Sequence, residues 1–366
     1  MYKRLVIYYL SGTGNALKAA RWFEEHAQTH SMISELIPID RFKTIKAPPN
    51  SGDILIGFLF PTHGFCLPWY MLKFILLFPR GRNHLFCLNT FAGTTLGRLP
   101  LPGLSGIALI LPAVVLSMKG YRVRGLVSVN LPSNWISLHP GLTEHAVSIL
   151  VDYCRKKTGN YAARLLSGKQ AYYGLISLPF DLLVSPIAIG YLFVGRFWLA
   201  KMYMASSGCN GCGICAQNCP MNALIMKNNR PFWTFHCESC MRCMNICPEK
   251  AIQVSYVFTT ISAYILYGLL LPFIIVITLR YNHTAVSIIS SKSEVIALIR
   301  AWFLLGIMFL CYRLVLRLTR FKLFDFIFTR FTPTSFHFWR RYLAPGISVK
   351  DFKTSNNFSP PKISLK

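Results

Sequence analysis

Residues 209–220 read CNGCGICAQNCP and residues 237–248 read CESCMRCMNICP. Both follow C-x₂-C-x₂-C-x₃-C-P. The first run is Cys209, Cys212, Cys215 and Cys219 before Pro220, and the second is Cys237, Cys240, Cys243 and Cys247 before Pro248. A C-x-x-C turn lets two thiolates converge on one metal core. The third cysteine completes a three-point clamp, and the fourth, three residues further on, points away. A zinc ribbon or a pair of disulfides is the competing reading, but zinc takes four ligands, usually from two C-x-x-C pairs. Two tandem runs that each end in Cys-Pro fit that poorly. The doubled spacing predicts two 4Fe–4S clusters, which need thiolates and therefore a reducing compartment.

Residues 205–254 resemble a bacterial-type two-4Fe–4S ferredoxin domain. The stretch from Cys219 to Leu224 answers the stretch from Cys247 to Ile252, as in that family's internal repeat. The resemblance implies that each fourth cysteine serves the other cluster. One cluster would use Cys209, Cys212, Cys215 and Cys247, and the other Cys237, Cys240, Cys243 and Cys219. The remaining cysteines, Cys66, Cys87, Cys154 and Cys311, read as buried thiols.

The front of the chain has a different rhythm. Residues 4–10 (RLVIYYL) read as a buried strand, followed by the small-residue loop Ser11, Gly12, Thr13, Gly14, Asn15 and a helix from Ala16 to about Gln28. Backbone N–H groups of such a loop and the helix N-terminus make a phosphate cradle. Neither a dinucleotide glycine fingerprint nor a P-loop lysine motif is present. Further apolar strands at 53–60, 85–89 and 123–129 alternate with helical stretches. That order predicts a doubly wound parallel sheet with its site at the strand C-terminal ends. These residues resemble flavodoxin, a resemblance that implies FMN. The Ser11–Asn15 loop stands where that family has its phosphate loop. Pro61, Thr62, His63 and Gly64, and Asn89, Thr90, Phe91 and Gly93, stand where it has the two loops flanking the flavin ring. Ala16 departs from the family pattern, which often has a hydroxyl residue there, and residues 97–105 (GRLPLPGLS) are unusual. Phe91, Trp69 and Tyr70 are the candidates for a ring-stacking aromatic. The first 255 residues resemble the fused flavodoxin–ferredoxin proteins of bacteria, including the stretch from Asn130 to Asn134. That resemblance implies an electron carrier.

Composition sets the remaining expectations. Of 366 residues, 53% are hydrophobic and 14% charged, against roughly 25% charged in soluble domains. Residues 256–279 carry no formal charge, and residues 295–312 carry only Arg300. These lengths predict a C-terminal transmembrane helical hairpin. The positive flank after Tyr312 places both termini, and so the redox domains, on the cytoplasmic side of a bacterial inner membrane. The apolar stretch 175–194 reads as an interfacial or lipid-facing linker. Residues 338–342 suit a membrane interface, or alternatively dock on the redox domains. The expected organisation is a flavodoxin-like α/β domain over 1–165, an apolar linker over 166–204 and a small α+β ferredoxin domain over 205–254. The hairpin and basic flank follow over 255–335, and a tail over 336–366.

Thirty-nine Lys and Arg against 13 Asp and Glu give a net charge of +26. Such an excess predicts an acidic redox protein partner and anionic lipid. No nucleic-acid recognition motif accompanies the charge. The expected function is a membrane-anchored relay between FMN, two 4Fe–4S clusters and a partner. Two alternatives remain at this level: a membrane-edge reductase of a lipid-phase substrate such as a quinone, and a redox-sensing or assembly subunit with a vestigial flavin site.

Overall fold

The computed structural model describes residues 2–101, 103–264 and 293–352. Its N-terminal part is built on β1 (Arg4–Tyr9), β2 (Ile33–Pro38), β3 (Ile54–Pro61), β4 (His84–Thr90) and β7 (Arg122–Val129), all parallel, in the order β2-β1-β3-β4-β7. This is the 2-1-3-4-5 order of a flavodoxin-like sheet, whose switch point lies between β1 and β3. Between β4 and β7 the chain makes a two-residue-per-strand hairpin, β5 (Thr95–Leu96) with β6 (Leu99–Pro100), which occupies much of the unusual 97–105 stretch.

Side chains of the central strands alternate between two cores because successive residues of a strand face opposite ways. On β1, Val6, Tyr8 and Leu10 join one core, while Leu5, Ile7 and Tyr9 join the other. On the first side lie α2 (Trp69–Leu77) and α3 (Ile110–Met118). On the second, α1 (Asn15–Thr29) packs against α4 (Glu144–Leu166). Both faces of the sheet are thus covered, which explains why these strands read as continuous apolar runs.

After α4 come three short helices: α5 (Leu178–Leu183), α6 (Ser185–Gly190) and α7 (Arg196–Leu199). The sequence suggests an interfacial or lipid-facing linker here; Ile176, Phe180, Leu183, Ile187 and Phe193 are exposed, while Asp181 turns into the protein. Asp181 is 2% exposed and accepts from the backbone N–H of Ser105 and of Gly106, each at 2.7 Å, and from Ser177 Oγ at 2.6 Å. The buried ring of Tyr191 packs against Gly64, and Arg196 pairs with Glu238 at 3.4 Å.

The ferredoxin-type part folds as two antiparallel pairs with a short helix in each half. In the first pair, β8 (Tyr203–Ala205) meets β11 (Ile252–Val254); in the second, β9 (Leu224–Lys227) meets β10 (Arg230–Trp233). The helices are α8 (Ile214–Gln217) and α9 (Arg242–Ile246). Its Tyr203, Leu224 and Trp233 belong to the same core as α2 and α3, so the two parts share an interior.

The transmembrane hairpin, and with it the placement in a bacterial inner membrane, is corrected here. Among the described residues no helix is long and apolar enough to cross a membrane. From Tyr256 the chain forms α10, described to Tyr264. Residues 265–292, with the rest of the first expected span and the connector, lie outside the described residues. The second expected span falls within α11 (Ser293–Leu318), one face of whose C-terminal half packs on protein while Leu310 and Leu314 are exposed. Met308, Tyr312 and Val315 are buried with Met204, Phe232 and Phe258, and the Tyr312 hydroxyl donates to the Tyr203 carbonyl at 2.7 Å.

The described part of the tail docks on the redox domains, the second of the two expectations for it. Trp339 Nε1 donates to the Ile136 carbonyl at 2.7 Å, and the Tyr342 N–H donates to Asn245 Oδ1 at 2.6 Å. Tyr342, Ala344, Ile347 and Phe352 join the core beside α1.

Candidate redox site at the domain junction

The Ser11–Asn15 loop follows β1 and ends at α1, whose N-cap, Gly14, has φ of +101°, a left-handed conformation that favours glycine. Ser11 and Thr13 are buried, and Ser11 Oγ accepts from the Leu17 N–H at 3.2 Å. Ala16, where a hydroxyl is often found in flavodoxins, is also buried.

The loop contributes to a cleft of about 50 Å³. Its lining includes Ser11, Gly12, Thr13 and Asn15; Pro61, Thr62 and His63; and Thr90 and Phe91. Three separate stretches of the sequence therefore meet at the C-terminal ends of β1, β3 and β4. Gly14, Gly64, Asn89 and Gly93 are not among its lining residues. Asn89 is buried and donates through Nδ2 to Thr62 Oγ1 at 2.7 Å and to Ser105 Oγ at 2.9 Å, so it braces the loops. Of the three ring-stacking candidates, Phe91 lines the cleft. Trp69 and Tyr70 lie at the start of α2, where Tyr70 packs against Phe42 and the Trp69 N–H donates to Glu238.

Sequence reading missed part of this wall: Pro132, Ser133, Asn134 and Trp135, contributed by the segment after β7. The only signal was the family-like stretch itself. Three buried polar atoms in the cleft lining, Thr13 Oγ1, His63 Nδ1 and Trp135 Nε1, have no partner among the described residues. Buried polar atoms are normally paired, so a cleft with three orphans suits a polar ligand. Burial pushes His63 down to about 4, with the Glu238 main chain opposing, so its ring is neutral.

The cysteines gather in two sets. Cys219 joins Cys237, Cys240 and Cys243 around one enclosed cavity, with Tyr203, Met221 and Arg242 also in its wall. Of the other four, Cys215 lies within electrostatic reach of Cys247, Cys209 and Cys212. Burial, then Cys247, Cys209 and Cys212, pushes the Cys215 thiol up to about 12. Burial likewise raises Cys240 to about 12, with Arg242 opposing. Buried thiols this reluctant to ionise need a cationic core to become thiolates. Among the described residues no three His, Cys, Asp or Glu side chains converge closely enough for a single metal ion. The donor set is soft sulfur throughout, which suits iron–sulfur clusters. Cys66, Cys87 and Cys154 are buried, and burial raises the Cys66 and Cys154 thiols to about 12; Cys311 is half-buried.

The Ser11–Asn15 loop and the second cysteine set are in direct contact. A Cβ added at Gly12 would overlap the Cys240 carbonyl oxygen, so only glycine permits this approach. Two residues on, Arg242 is 2% exposed. Its Nε donates to the Gly12 carbonyl at 3.0 Å and its Nη2 to the Ser11 carbonyl, while its Nη1 pairs with Asp40 at 2.5 Å and reaches the Asn218 carbonyl at 3.0 Å. One guanidinium thus holds this loop, the end of β2 and the ferredoxin-type part together. The tail covers the other side of the loop. The Ala344 N–H donates to the Thr13 carbonyl at 2.8 Å, and the Tyr342 hydroxyl donates to Asn15 Oδ1 at 2.7 Å. Arg242 and the tail contacts carry no sequence signature, because nothing local marks a long-range partner.

Residues 208–252 match the 4Fe-4S dicluster domain family. No curated protein matches the chain. Among solved structures, a flavodoxin from the domain Archaea is 13% identical, covering 44% of this chain and 98% of its own, with a TM-score of 0.28. A Fusobacterium nucleatum flavodoxin bound to flavin mononucleotide is 12% identical, covering 46% and 99%, with a TM-score of 0.30. The rubredoxin oxygen:oxidoreductase of Desulfovibrio gigas is 15% identical, covering 45% of this chain and 36% of its own, with a TM-score of 0.28. The strand order carries the fold assignment. The chain combines a flavodoxin-like parallel sheet with a 4Fe–4S domain, and its function is redox, in electron transfer.

Proposed function

We propose that this chain relays electrons between an FMN held in the cleft and two 4Fe–4S clusters held by the two cysteine sets. The observation that carries this reading is the contact between Gly12 and Cys240, braced by Arg242. It sets the flavin cleft directly against the cavity of Cys219, Cys237, Cys240 and Cys243. Flavin and clusters supply the electron chemistry: a flavin exchanges one or two electrons, and each cluster one. The chain's own residues do the rest. The Ser11–Asn15 loop and the N-terminus of α1 bind the phosphate, with Thr13 Oγ1 free to donate. Neutral His63 and Trp135 offer further polar atoms in the cleft. Arg242 fixes the loop relative to the cluster, and the buried surroundings exclude water.

The test is an anaerobic mixing experiment on the reconstituted full chain. A limiting amount of dithionite is added, and redistribution between cluster and flavin absorbance is followed. A relay within one chain equilibrates at a rate independent of protein concentration. A rate proportional to protein concentration, or no redistribution, overturns the reading. The vestigial-flavin alternative rests on Ala16 and the 97–105 stretch, against which stand the three orphaned polar atoms in the cleft.

A further inference from the structure

The hairpin of β9 and β10 and the C-terminal turns of α11 enclose a groove over the apolar floor of Phe232. Its cations are Lys227, Arg230, Arg313, Arg317 and Arg320, and no carboxylate lines it. All but Arg230 are exposed. Arg230 Nη1 donates to the Thr319 carbonyl at 3.3 Å and so ties hairpin to helix. Five positive charges around one cavity, with no acid among them, make a strongly anion-attracting surface.

The groove also adjoins the solvent-facing edge of the first cysteine set. Asn228 lines it, and the next residue, Asn229, touches that set. The Asn229 carbonyl accepts from Cys209 Sγ at 3.8 Å, and a Cβ at Gly211 would lie 3.0 Å from Asn229 Cβ. Cys212 is exposed and Cys209, Cys240, Cys243 and Cys247 are half-exposed, whereas Cys215, Cys219 and Cys237 are buried. An electron entering or leaving the molecule therefore meets least protein at the Cys209 and Cys212 edge, beside the groove.

We propose that this groove is the docking surface for an acidic electron-transfer protein, seated so that it exchanges one electron with the centre held by Cys209, Cys212, Cys215 and Cys247. The inference rests on the relay reading above. The step moves a single electron from the reduced centre to the partner's one-electron acceptor, with no bond made and no proton transferred. Carboxylates of the partner would pair with the groove cations, which steers encounter and fixes orientation. A nearby redox edge is of use to a redox protein and of none to a lipid headgroup, which is why the partner is assigned as protein.

The experiment measures oxidation of the dithionite-reduced, cluster-loaded full chain by stopped flow. An acidic bacterial flavodoxin is one oxidant and neutral 1,4-benzoquinone the other. The groove variant carries Lys227→Glu, Arg317→Glu and Arg320→Glu. The control carries Lys73→Glu, Arg80→Glu and Arg122→Glu, exposed positions on the other domain. The expected result is a fall of about tenfold or more in the flavodoxin rate for the groove variant, with its salt dependence flattened and the control within about twofold of wild type. Benzoquinone should oxidise all three alike. Equal flavodoxin rates in wild type and groove variant overturn the docking proposal while leaving the relay standing. The proposal is also overturned if the reversals abolish binding to phosphatidylglycerol vesicles but leave the flavodoxin rate unchanged. If neither oxidant takes electrons from the reduced chain, the relay reading itself fails. A milder variant, Arg317→Gln with Arg320→Gln, should give a smaller fall of the same kind, and cluster absorbance checks that each variant is loaded.

Discussion

Replacing Arg242 by methionine removes the one side chain that bonds to both Ser11 and Gly12 of the phosphate loop while pairing with Asp40. Both members of the ion pair are 2% exposed, so the pair is buried. Breaking a buried pair by removing one partner costs about 3–5 kcal/mol, because the remaining carboxylate loses this opposite charge inside the protein. The two bonds to loop carbonyls are charge-assisted, at about 1.5–3 kcal/mol each. If half of one such bond goes into holding the loop in its binding shape, FMN affinity falls by about 1 kcal/mol. If one whole bond does, affinity falls by up to about 3 kcal/mol. With 1.4 kcal/mol per factor of ten, the expected rise in Kd is roughly 5- to 100-fold. Quenching of FMN fluorescence on titration with cluster-loaded protein measures it. Arg242→Lys keeps a charge for Asp40 but lacks the fork that reaches two carbonyls, so it should fall between the two. The double variant Arg242→Met with Asp40→Asn should recover stability but not FMN affinity. An FMN Kd within about twofold of wild type in Arg242→Met, with clusters intact, would refute the claim that this guanidinium organises the loop.

Gly12→Ala should separate the two redox parts, since its Cβ has no room beside the Cys240 carbonyl; the readout is loss of fast flavin–cluster exchange in the mixing experiment. Tyr342→Phe removes the bond to Asn15 Oδ1; a rise in FMN Kd of about 2- to 10-fold is expected, following from roughly 0.5–1.5 kcal/mol for one hydrogen bond. Acidification should destabilise the cleft through His63. Burial holds its folded value near 4, below the ordinary 6.5, so the unfolded chain binds the extra proton first. Stability is full above about pH 6.5 and falls as pH drops towards 4, by up to about 3 kcal/mol, and His63→Asn should flatten that slope in thermal melts across the same window. Lys201 has its Nζ on the Trp233 carbonyl, and its ammonium lies near Cys237; burial lowers it to about 8. A buried cation near a cluster favours the reduced, more negative state, so Lys201→Met should lower one cluster potential by tens of millivolts in a redox titration.

The sequence carried local chemistry well and long-range packing poorly. The cysteine spacing and the strand–loop–helix from Arg4 to Thr29 are short-range patterns, and each stretch expected around the flavin reaches the same cleft. Trp135, one residue past the family-like stretch, gives no sign in the sequence of facing that cleft, because a loop aromatic looks the same whether it lines a site or a core. Arg242 sits inside a cysteine motif, where its charge reads as a surface feature until Asp40 and the loop carbonyls are seen around it. The error over the C-terminal part has the same root. An apolar helix that packs on a protein and one that packs on lipid share a composition, and Tyr312, buried against Tyr203 and Phe258, shows which surface the described end of α11 uses. Asp181 likewise turns an apolar stretch into a brace for the 105–106 turn through two backbone bonds that no periodicity announces.

The central claim is that one chain holds a flavin against iron–sulfur centres, and cofactor content after anaerobic purification tests it most directly. Iron, acid-labile sulfide and FMN released on denaturation are measured per chain. The account predicts about eight irons, about eight sulfides and about one FMN. About eight irons with no FMN after reconstitution would remove the flavin half, and zinc in place of iron would contradict the account outright.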